Sequence, residues 1–211
     1  MVTCDVMIHY PDHDVYRTSG IDQDCYDLKQ EKQNIVNVYA VIWNKIYKRK
    51  LLLDTKITFK KDVWYEDILY LYSVMPNFKT IGVVKEALNH YVQREGSITH
   101  TYNDKLYHLN ENCNDLVNYY KEHQFYQDYY QELEYLYVRY HYATFIKRLA
   151  KTQDKKAFNK GVNYVLKEVN KTFPDYKKNK YLEHGYKNFY IKHFNKVLSK
   201  VVYHYEKKKM N

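Results

Sequence analysis

The pattern of hydrophobic positions changes character near residue 103 of this 211-residue chain. Before that point, runs with strand-like alternation and runs with helical spacing follow one another, an order typical of an α/β sheet domain. The pattern predicts, in turn, a strand over Val2–Tyr10, a polar loop over 11–33, a helix over Asn34–Leu53, an extended piece over Thr55–Phe59, a helix from Tyr65 that Pro76 ends, and two strands, Thr80–Val84 and Ala87–Gln93, separated by a Lys85-Glu86 turn.

After Asn103 each apolar stripe has helical spacing. The stripes cover residues 106–120, 133–150, 158–169 and, in one long last helix, 186–202. The opposite face of that last helix shows Lys187, Lys192, Lys196 and Lys200. The sequence therefore predicts an α/β part over residues 1–102 and an all-α tail or bundle over 103–211. Roughly four short strands form a marginal sheet, so we expect something else to cover or extend it.

Composition narrows the class of protein only modestly. The formal net charge of +9 favours anionic partners such as phospholipid surfaces, sugar phosphates or nucleic acid. Lysines and arginines alternate with acidic residues and no recognition motif is present, so we do not expect a nucleic-acid partner. The 27 tyrosines suit surfaces that touch sugars, partners or membrane interfaces, although an AT-rich codon bias explains the same excess.

Cysteine spacing and hydropathy point to the cytoplasm. Cys4, Cys25 and Cys113 are widely spaced, which favours neither disulfides nor a zinc site. The N-terminus lacks the features of a signal peptide, and no run approaches the ~18–20 apolar residues that a transmembrane helix needs. The last helix, which leads to Lys207-Lys208-Lys209, is basic and amphipathic. It fits a peripheral contact with the inner membrane face, or packing on its own bundle with the lysines in solvent.

Three segments carry a family resemblance. The first runs from Val41 to Arg49 and contains Trp-Asn-Lys, the second is Trp64–Leu69 with its Glu-Asp pair, and the third is Ala87–Thr99, which reads Ala-Leu-Asn-His-Tyr-Val-Gln-Arg-Glu-Gly-Ser-Ile-Thr. In this order, over residues 41–99, they resemble the acceptor-side half of bacterial family 2 glycosyltransferases with a GT-A fold. Those enzymes build capsular polysaccharide, exopolysaccharide and teichoic-acid decorations.

The resemblance implies a role for each matched residue in an inverting sugar transfer. Asp67 would be the catalytic base that takes the proton of the acceptor hydroxyl, and Glu66 would help to position that acceptor. The residues matched to substrate binding are Trp43, Asn44, Lys45, Tyr91, Arg94 and Ser97. Plainer interpretations stay open: favourable first-turn acids for Glu66 and Asp67, a core position for Trp43, and an exposed loop position for Arg94.

The family's nucleotide-binding strand, aspartate pair and metal-binding D-x-D motif have no counterpart before Met1. Asp12-His13-Asp14 has the D-x-D spacing, but Pro-Asp-His-Asp also suits a solvated turn. The resemblance therefore implies a truncated part that is inactive alone. It would have no metal or cofactor of its own, whereas the family uses Mg²⁺ or Mn²⁺ with a nucleotide sugar.

Two kinds of function follow from these observations. The first is a glycosyltransferase-like protein that meets a nucleotide sugar and a glycan acceptor when a partner chain or a second copy supplies the other half. The alternative is a non-catalytic helical interaction module or membrane-surface module that keeps the sheet as a scaffold.

Overall fold

The computed structural model of the protein describes residues 1–93 and 103–210. The chain divides into two units, Met1–Thr101 and Tyr102–Asn211. Strands and helices are mixed in the first unit, and the described part of the second is helical, which confirms the expected order of an α/β part followed by helices. None of the helices within the described ranges is long and apolar enough to cross a membrane.

A five-stranded sheet organises the first unit. Its strands are β1 (Val2–His9), β2 (Asp14–Arg17), β3 (Cys25–Asp27), β4 (Lys45–Ile46) and β5 (Thr80–Val92). The order is β2-β1-β5-β3, with β4 also paired to β1, and only the β1–β5 pair is parallel. Val6 and Ile8 of β1 are buried with Ile81 and Val83 of β5. The predicted first strand is thus confirmed and lies inside the sheet.

Both predicted strands, Thr80–Val84 and Ala87–Gln93, are confirmed as extended chain up to Val92, but the Lys85-Glu86 turn between them is wrong, because β5 runs unbroken from Thr80 to Val92. The pairing with β1 shifts from Cys4–Val84 to Asp5–Ala87 and then to Val6–Asn89. Extra residues on β5 are therefore accommodated as bulges, which bend a strand without ending it. The polar pair marks an irregularity in the ladder.

The polar loop predicted over 11–33 contains β2 and β3, which that prediction missed. A buried carboxylate explains how so polar a segment is ordered: Asp5 accepts hydrogen bonds from the Ser19 N–H (2.6 Å) and from the Tyr16 hydroxyl (2.6 Å). Gly20 follows with φ +87°, and a Cβ there would lie 2.0 Å from the Asn37 carbonyl oxygen. Only glycine fits this turn.

The long helix predicted over Asn34–Leu53 is also wrong. Its place is taken by helix α1 (Gln33–Asn37), strand β4 and helix α2 (Arg49–Thr55). Val38 leaves the helix with an extended backbone, and Ile46, expected on a buried face, is 72% exposed. β-Branched residues such as Val38, Val41 and Ile42 have modest helix propensity, so pairing of this segment with β1 outweighs its helical spacing.

The predicted helix before Pro76 is confirmed as α3 (Glu66–Val74), which passes into a 3₁₀ turn over Met75–Asn77. Its buried side includes Ile68, Leu71 and Tyr72. The extended piece predicted over Thr55–Phe59 is wrong, because Thr55 belongs to α2 and the residues that follow form a loop.

Helices with buried apolar stripes form the second unit. They are α4 (His108–Glu122), α5 (Tyr130–Val138), α6 (Ile146–Ala150), α7 (Lys155–Thr172), α8 (Tyr186–Lys192) and α9 (Lys196–Met210). A π-helical segment, Arg139–Phe145, joins α5 to α6 without a break. The stripes predicted over 106–120, 133–150 and 158–169 are confirmed, with Leu116, Leu136 and Val165 almost fully buried.

The single last helix predicted from 186 onward is wrong. Asn195 separates α8 from α9, because its Oδ1 accepts hydrogen bonds from the N–H groups of Val197 (2.8 Å) and Leu198 (3.0 Å) and so caps α9. Four residues that were predicted on the apolar face of one continuous helix are therefore exposed: Tyr186, Phe189, Val197 and Val201.

Gly161 permits the close packing of α7 against α6 and the π-helical segment. A Cβ at this position would lie 2.1 Å from Leu149 Cδ2 and 3.2 Å from Phe145 Cε1. Replacing Gly161 by alanine adds about 1 kcal/mol of helix propensity but overpacks a buried contact, which costs typically 1–3 kcal/mol.

We therefore expect Gly161→Ala to lower the free energy of unfolding by roughly 1 kcal/mol. Urea denaturation followed by circular dichroism measures this change. Asn163→Ala, at an exposed position of the same helix, is the control and should be neutral or slightly stabilising. A Gly161→Ala protein more stable than the wild type would contradict the packing described.

Candidate functional site

The ammonium group of Lys45 is the anchor of the candidate site. Its Nζ donates hydrogen bonds to the carbonyl oxygens of Tyr39 (2.8 Å) and Val41 (2.7 Å) and to Oδ1 of Asn44 (2.7 Å). These acceptors use all three ammonium protons and hold residues 39–45 in a curved segment, which we call the arch. Burial lowers the pKa of Lys45 to about 7, while Cys4 and Asp67 act to raise it.

Asn44 fastens the arch to the sheet. Its Nδ2 donates to the Cys4 carbonyl oxygen (2.6 Å), and its own carbonyl oxygen accepts from the Cys4 N–H (3.0 Å). Asn44 is 2% exposed, so both bonds are shielded from water. This pairing continues into the β1–β4 ladder and fixes the arch relative to β1.

Trp43 connects the arch to β5. Its ring stacks on Tyr91, with 5.1 Å between centroids and 8° between planes, and Tyr39 meets it edge-on at 6.2 Å. The Trp43 carbonyl oxygen accepts from Asn89 Nδ2 at 3.1 Å. Stacked aromatic pairs of this kind contribute beyond their buried area, and here the pair ties together segments almost fifty positions apart.

Asp67 meets the arch from the first turn of α3. Tyr65 precedes the helix in a left-handed conformation, φ 64°, and places Glu66 and Asp67 at its start. The Asp67 carboxylate is half-buried and accepts a hydrogen bond from the Ile42 N–H. Burial and the neighbouring Glu66 raise the pKa of Asp67, and the Ile42 hydrogen bond and Lys45 oppose that rise. The carboxylate is therefore a stronger base than an exposed aspartate.

An open cleft of about 380 Å³ lies beside these two carboxylates. Its lining residues are Ile42, Phe59, Lys60, Lys61, Asp62, Val63, Glu66 and Asp67. Phe59, one of these lining residues, is 43% exposed and stacks on Tyr70 with 4.0 Å between the ring centroids. The cleft thus combines an aromatic ring, carboxylates and lysines, a mixture suited to a polyhydroxylated ligand.

Most of the residues predicted from the sequence lie in the cleft or in the arch next to it. Glu66 and Asp67 line the cleft directly. Trp43, Asn44 and Lys45 form the arch behind it, and Tyr91 supports the arch through Trp43. Arg94 and Ser97 lie outside the described residues.

Sequence reasoning missed the loop that supplies Phe59 to Val63. Lys56, which precedes this loop, and Asp62, which lies within it, have positive φ angles (55° and 60°) although neither is glycine. Nothing in residue type therefore marks the bends. The available signal was a local change of charge sign, from the Lys60-Lys61 pair to the Glu66-Asp67 pair.

Asp12 and Asp14 form a separate polar group at the ends of β1, β2 and β5. Asp12 bonds to His13 (2.8 Å), and Asp14 bonds to His9 Nδ1 (2.7 Å), whose Nε2 meets His90 Nδ1 at 2.7 Å. Within residues 1–93 and 103–210, no group of three or more potential ligands is arranged to hold a metal ion. The spacing of a D-x-D motif is present here with histidine partners on both acids.

Comparisons of the chain with protein-family models, curated proteins and solved structures give no match.

The pH dependence of the stability of Lys45→Met, compared with the wild type, tests whether Lys45 is buried. The folded-state pKa of Lys45 is lowered to about 7, so above that pH the unfolded chain holds a proton that the folded chain lacks. Raising the pH from neutrality towards the ordinary lysine range therefore stabilises the wild type relative to the variant. We expect the variant to be less stable by roughly 1–3 kcal/mol at high pH and the difference to shrink near neutrality.

Urea denaturation at several pH values measures this difference. The exposed Lys48 provides a matched control, since its side chain meets water in both states, and Lys48→Met should show a much smaller change with pH. A Lys45→Met difference that is flat with pH, or that grows as the pH falls, would show that Lys45 is not buried as described.

Proposed function

We propose that this chain is the acceptor-side part of a family 2-type inverting glycosyltransferase, with Asp67 as the proton acceptor and Glu66 beside it as an acceptor-positioning group. The observation that carries the proposal is the half-buried Asp67 carboxylate, which lines an open cleft and has a raised pKa. Ile42 of the arch lies in the first resembling segment and Asp67 lies in the second. These two segments meet where the Ile42 N–H donates a hydrogen bond to Asp67.

The chemistry assigned to these residues is limited to the acceptor. An acceptor hydroxyl bound in the cleft donates a hydrogen bond to Asp67 and transfers its proton there as its oxygen bonds to the anomeric carbon of the donor sugar. The bond from that carbon to the nucleotide diphosphate breaks in the same step, and the diphosphate leaves from the opposite face of the sugar. General-base assistance of this kind typically contributes 10²–10⁴-fold. Phe59 offers a face for a sugar ring, and Lys60 and Lys61 add positive charge at the rim, which suits an acceptor that carries an anionic group.

The described residues do not fit the metal that the family uses. No group of potential ligands within 1–93 and 103–210 is arranged to hold an ion, and the carboxylates of Asp12 and Asp14 are hydrogen-bonded to histidines. We therefore assign no step to a metal and no described residue to the departure of the nucleotide diphosphate. Arg94 and Ser97, which the resemblance matches to diphosphate binding, keep that assignment as part of the proposal.

Acceptor binding is the first test. In ¹H–¹⁵N spectra, millimolar neutral and phosphorylated mono- and disaccharides should shift the amide signals of Ile42, Val63 and Asp67. Phe59→Ser should weaken that binding roughly three- to tenfold, since an aromatic stacking face is worth about 0.5–1.5 kcal/mol. Tyr186→Ser, at an exposed tyrosine of the second unit, should leave it unchanged. Saturating sugars that leave the cleft amides unmoved would exclude an acceptor site there.

Donor chemistry is the second test. We expect the isolated 211-residue chain to hydrolyse no UDP- or dTDP-sugar in the presence of Mn²⁺ and to bind these nucleotides no better than millimolar. The reason is that the proposal assigns only acceptor groups to the described residues. Micromolar nucleotide binding, or hydrolysis abolished by Asp67→Asn, would contradict this division and would place a complete site in the chain.

A further inference from the structure

Helix α9 presents a face that its own unit does not cover. Val197, Val201 and Tyr205, which follow one another at intervals of four residues, are 70%, 60% and 56% exposed. Side chains four apart lie on one side of a helix, so the three form a continuous apolar stripe. Large apolar side chains in such an array are unusual on a protein surface unless something binds there.

The opposite face of α9 is firmly attached, so the exposure is not a sign of a detached helix. Tyr203 is buried, packs on Phe158 at 4.8 Å and donates its hydroxyl hydrogen bond to the Gln153 carbonyl oxygen at 2.7 Å. Glu206 is 3% exposed and pairs with Lys147 at 4.0 Å. The attachment fixes which residues of α9 face outward.

The charges around the apolar stripe have one sign. The lysines of the helix are Lys196, Lys200, Lys207, Lys208 and Lys209, all of them exposed. Its one acidic residue, Glu206, is on the buried side. Lys209 lies over the ring of Tyr205 at 4.6 Å, which joins the cationic border to the stripe. An exposed face with apolar residues in the centre, lysines at the border and no exposed acid is complementary to an anionic, partly apolar surface.

We propose that α9 binds the surface of an anionic phospholipid bilayer, lying parallel to it with Val197, Val201 and Tyr205 among the headgroups and acyl-chain boundary and the lysines against lipid phosphates. Both halves of the face are used in this arrangement, because interfacial helices combine apolar burial with attraction to anionic lipid. A nucleic acid would use the lysines and leave the valines in water. This proposal does not depend on the acceptor site of the first unit.

Vesicle co-sedimentation with the full chain tests the proposal, using phosphatidylcholine vesicles with and without phosphatidylglycerol. We expect binding to the anionic vesicles and little to the neutral ones, weakened by added salt. Lys200→Gln/Lys207→Gln/Lys208→Gln should reduce binding about 100-fold, on the basis of the usual contribution of each lysine near an anionic surface. Val197→Ser/Val201→Ser should reduce it about tenfold at unchanged charge.

Two matched controls distinguish binding by α9 from a general effect of net charge or of exposed apolar area. Lys160→Gln/Lys167→Gln/Lys171→Gln removes the same charge from exposed positions of α7 and should leave most of the binding intact. Leu53→Ser removes an exposed apolar side chain of the first unit and should have no effect. Circular dichroism confirms that each variant is folded.

Three results would overturn the proposal. One is equal loss of binding in the α7 and α9 lysine variants, which would reduce the effect to net charge. Another is retention of the chain by DNA with no binding to anionic vesicles. The third is a dimer, seen by analytical ultracentrifugation and broken by Val197→Ser/Val201→Ser, in a protein that does not bind vesicles.

Discussion

The buried Lys45 ammonium is the interaction on which the candidate site depends. It draws the carbonyl groups of Tyr39 and Val41 and the Asn44 side chain towards one point, and Asn44 in turn is hydrogen-bonded to Cys4 of β1. Taking a lysine out of water is costly, and three hydrogen bonds of the kind that ionised donors strengthen offset part of that cost. The remaining cost is seen in the lowered pKa of Lys45. The resulting arch carries Trp43 onto Tyr91 and directs the Ile42 N–H to Asp67, so a single cation connects the sheet to the cleft.

The pKa of the Asp67 carboxyl group depends on opposing effects of the groups around it. Burial and the adjacent Glu66 disfavour the ionised form, whereas the Ile42 N–H and the Lys45 charge favour it. A carboxylate whose pKa is raised by burial and by a neighbouring acid is a stronger base than a free carboxylate. Asp67 also lines the cleft, where the proposed function places the acceptor hydroxyl. The second unit is built differently, from apolar helix stripes and the close approach at Gly161, and its helix α9 carries an exposed apolar stripe bordered by lysines.

Local signals in the sequence were sufficient for some elements and not for others. The Glu66-Asp67 pair, the spacing of Ile68, Leu69 and Tyr72 and the stop at Pro76 lie within one segment, and α3 follows from them. The helical stripes of the second unit are equally local. The region 34–53 failed because its helical spacing competes with pairing to β1, a partner some forty residues away that spacing does not reveal. Lys85-Glu86 has the composition of a turn, yet the parallel pairing of β5 with β1 absorbs it as a bulge. The cleft loop escaped prediction because Lys56, Asp62 and Tyr65 adopt left-handed conformations without glycine, and the break at Asn195 escaped because the apolar spacing continues across it.

The ionisation of the Asp67 carboxyl group is the quantity at the centre of this account. Carbon-detected NMR of the ¹³C-labelled side chain, followed through a pH titration, measures its pKa in the intact chain. We expect a pKa above the range of exposed aspartates, and a further rise in Lys45→Met, since the Lys45 charge opposes the upward shift. A pKa at or below the ordinary range, unaltered by Lys45→Met, would contradict the claim that Asp67 is a proton acceptor held at the cleft by the arch.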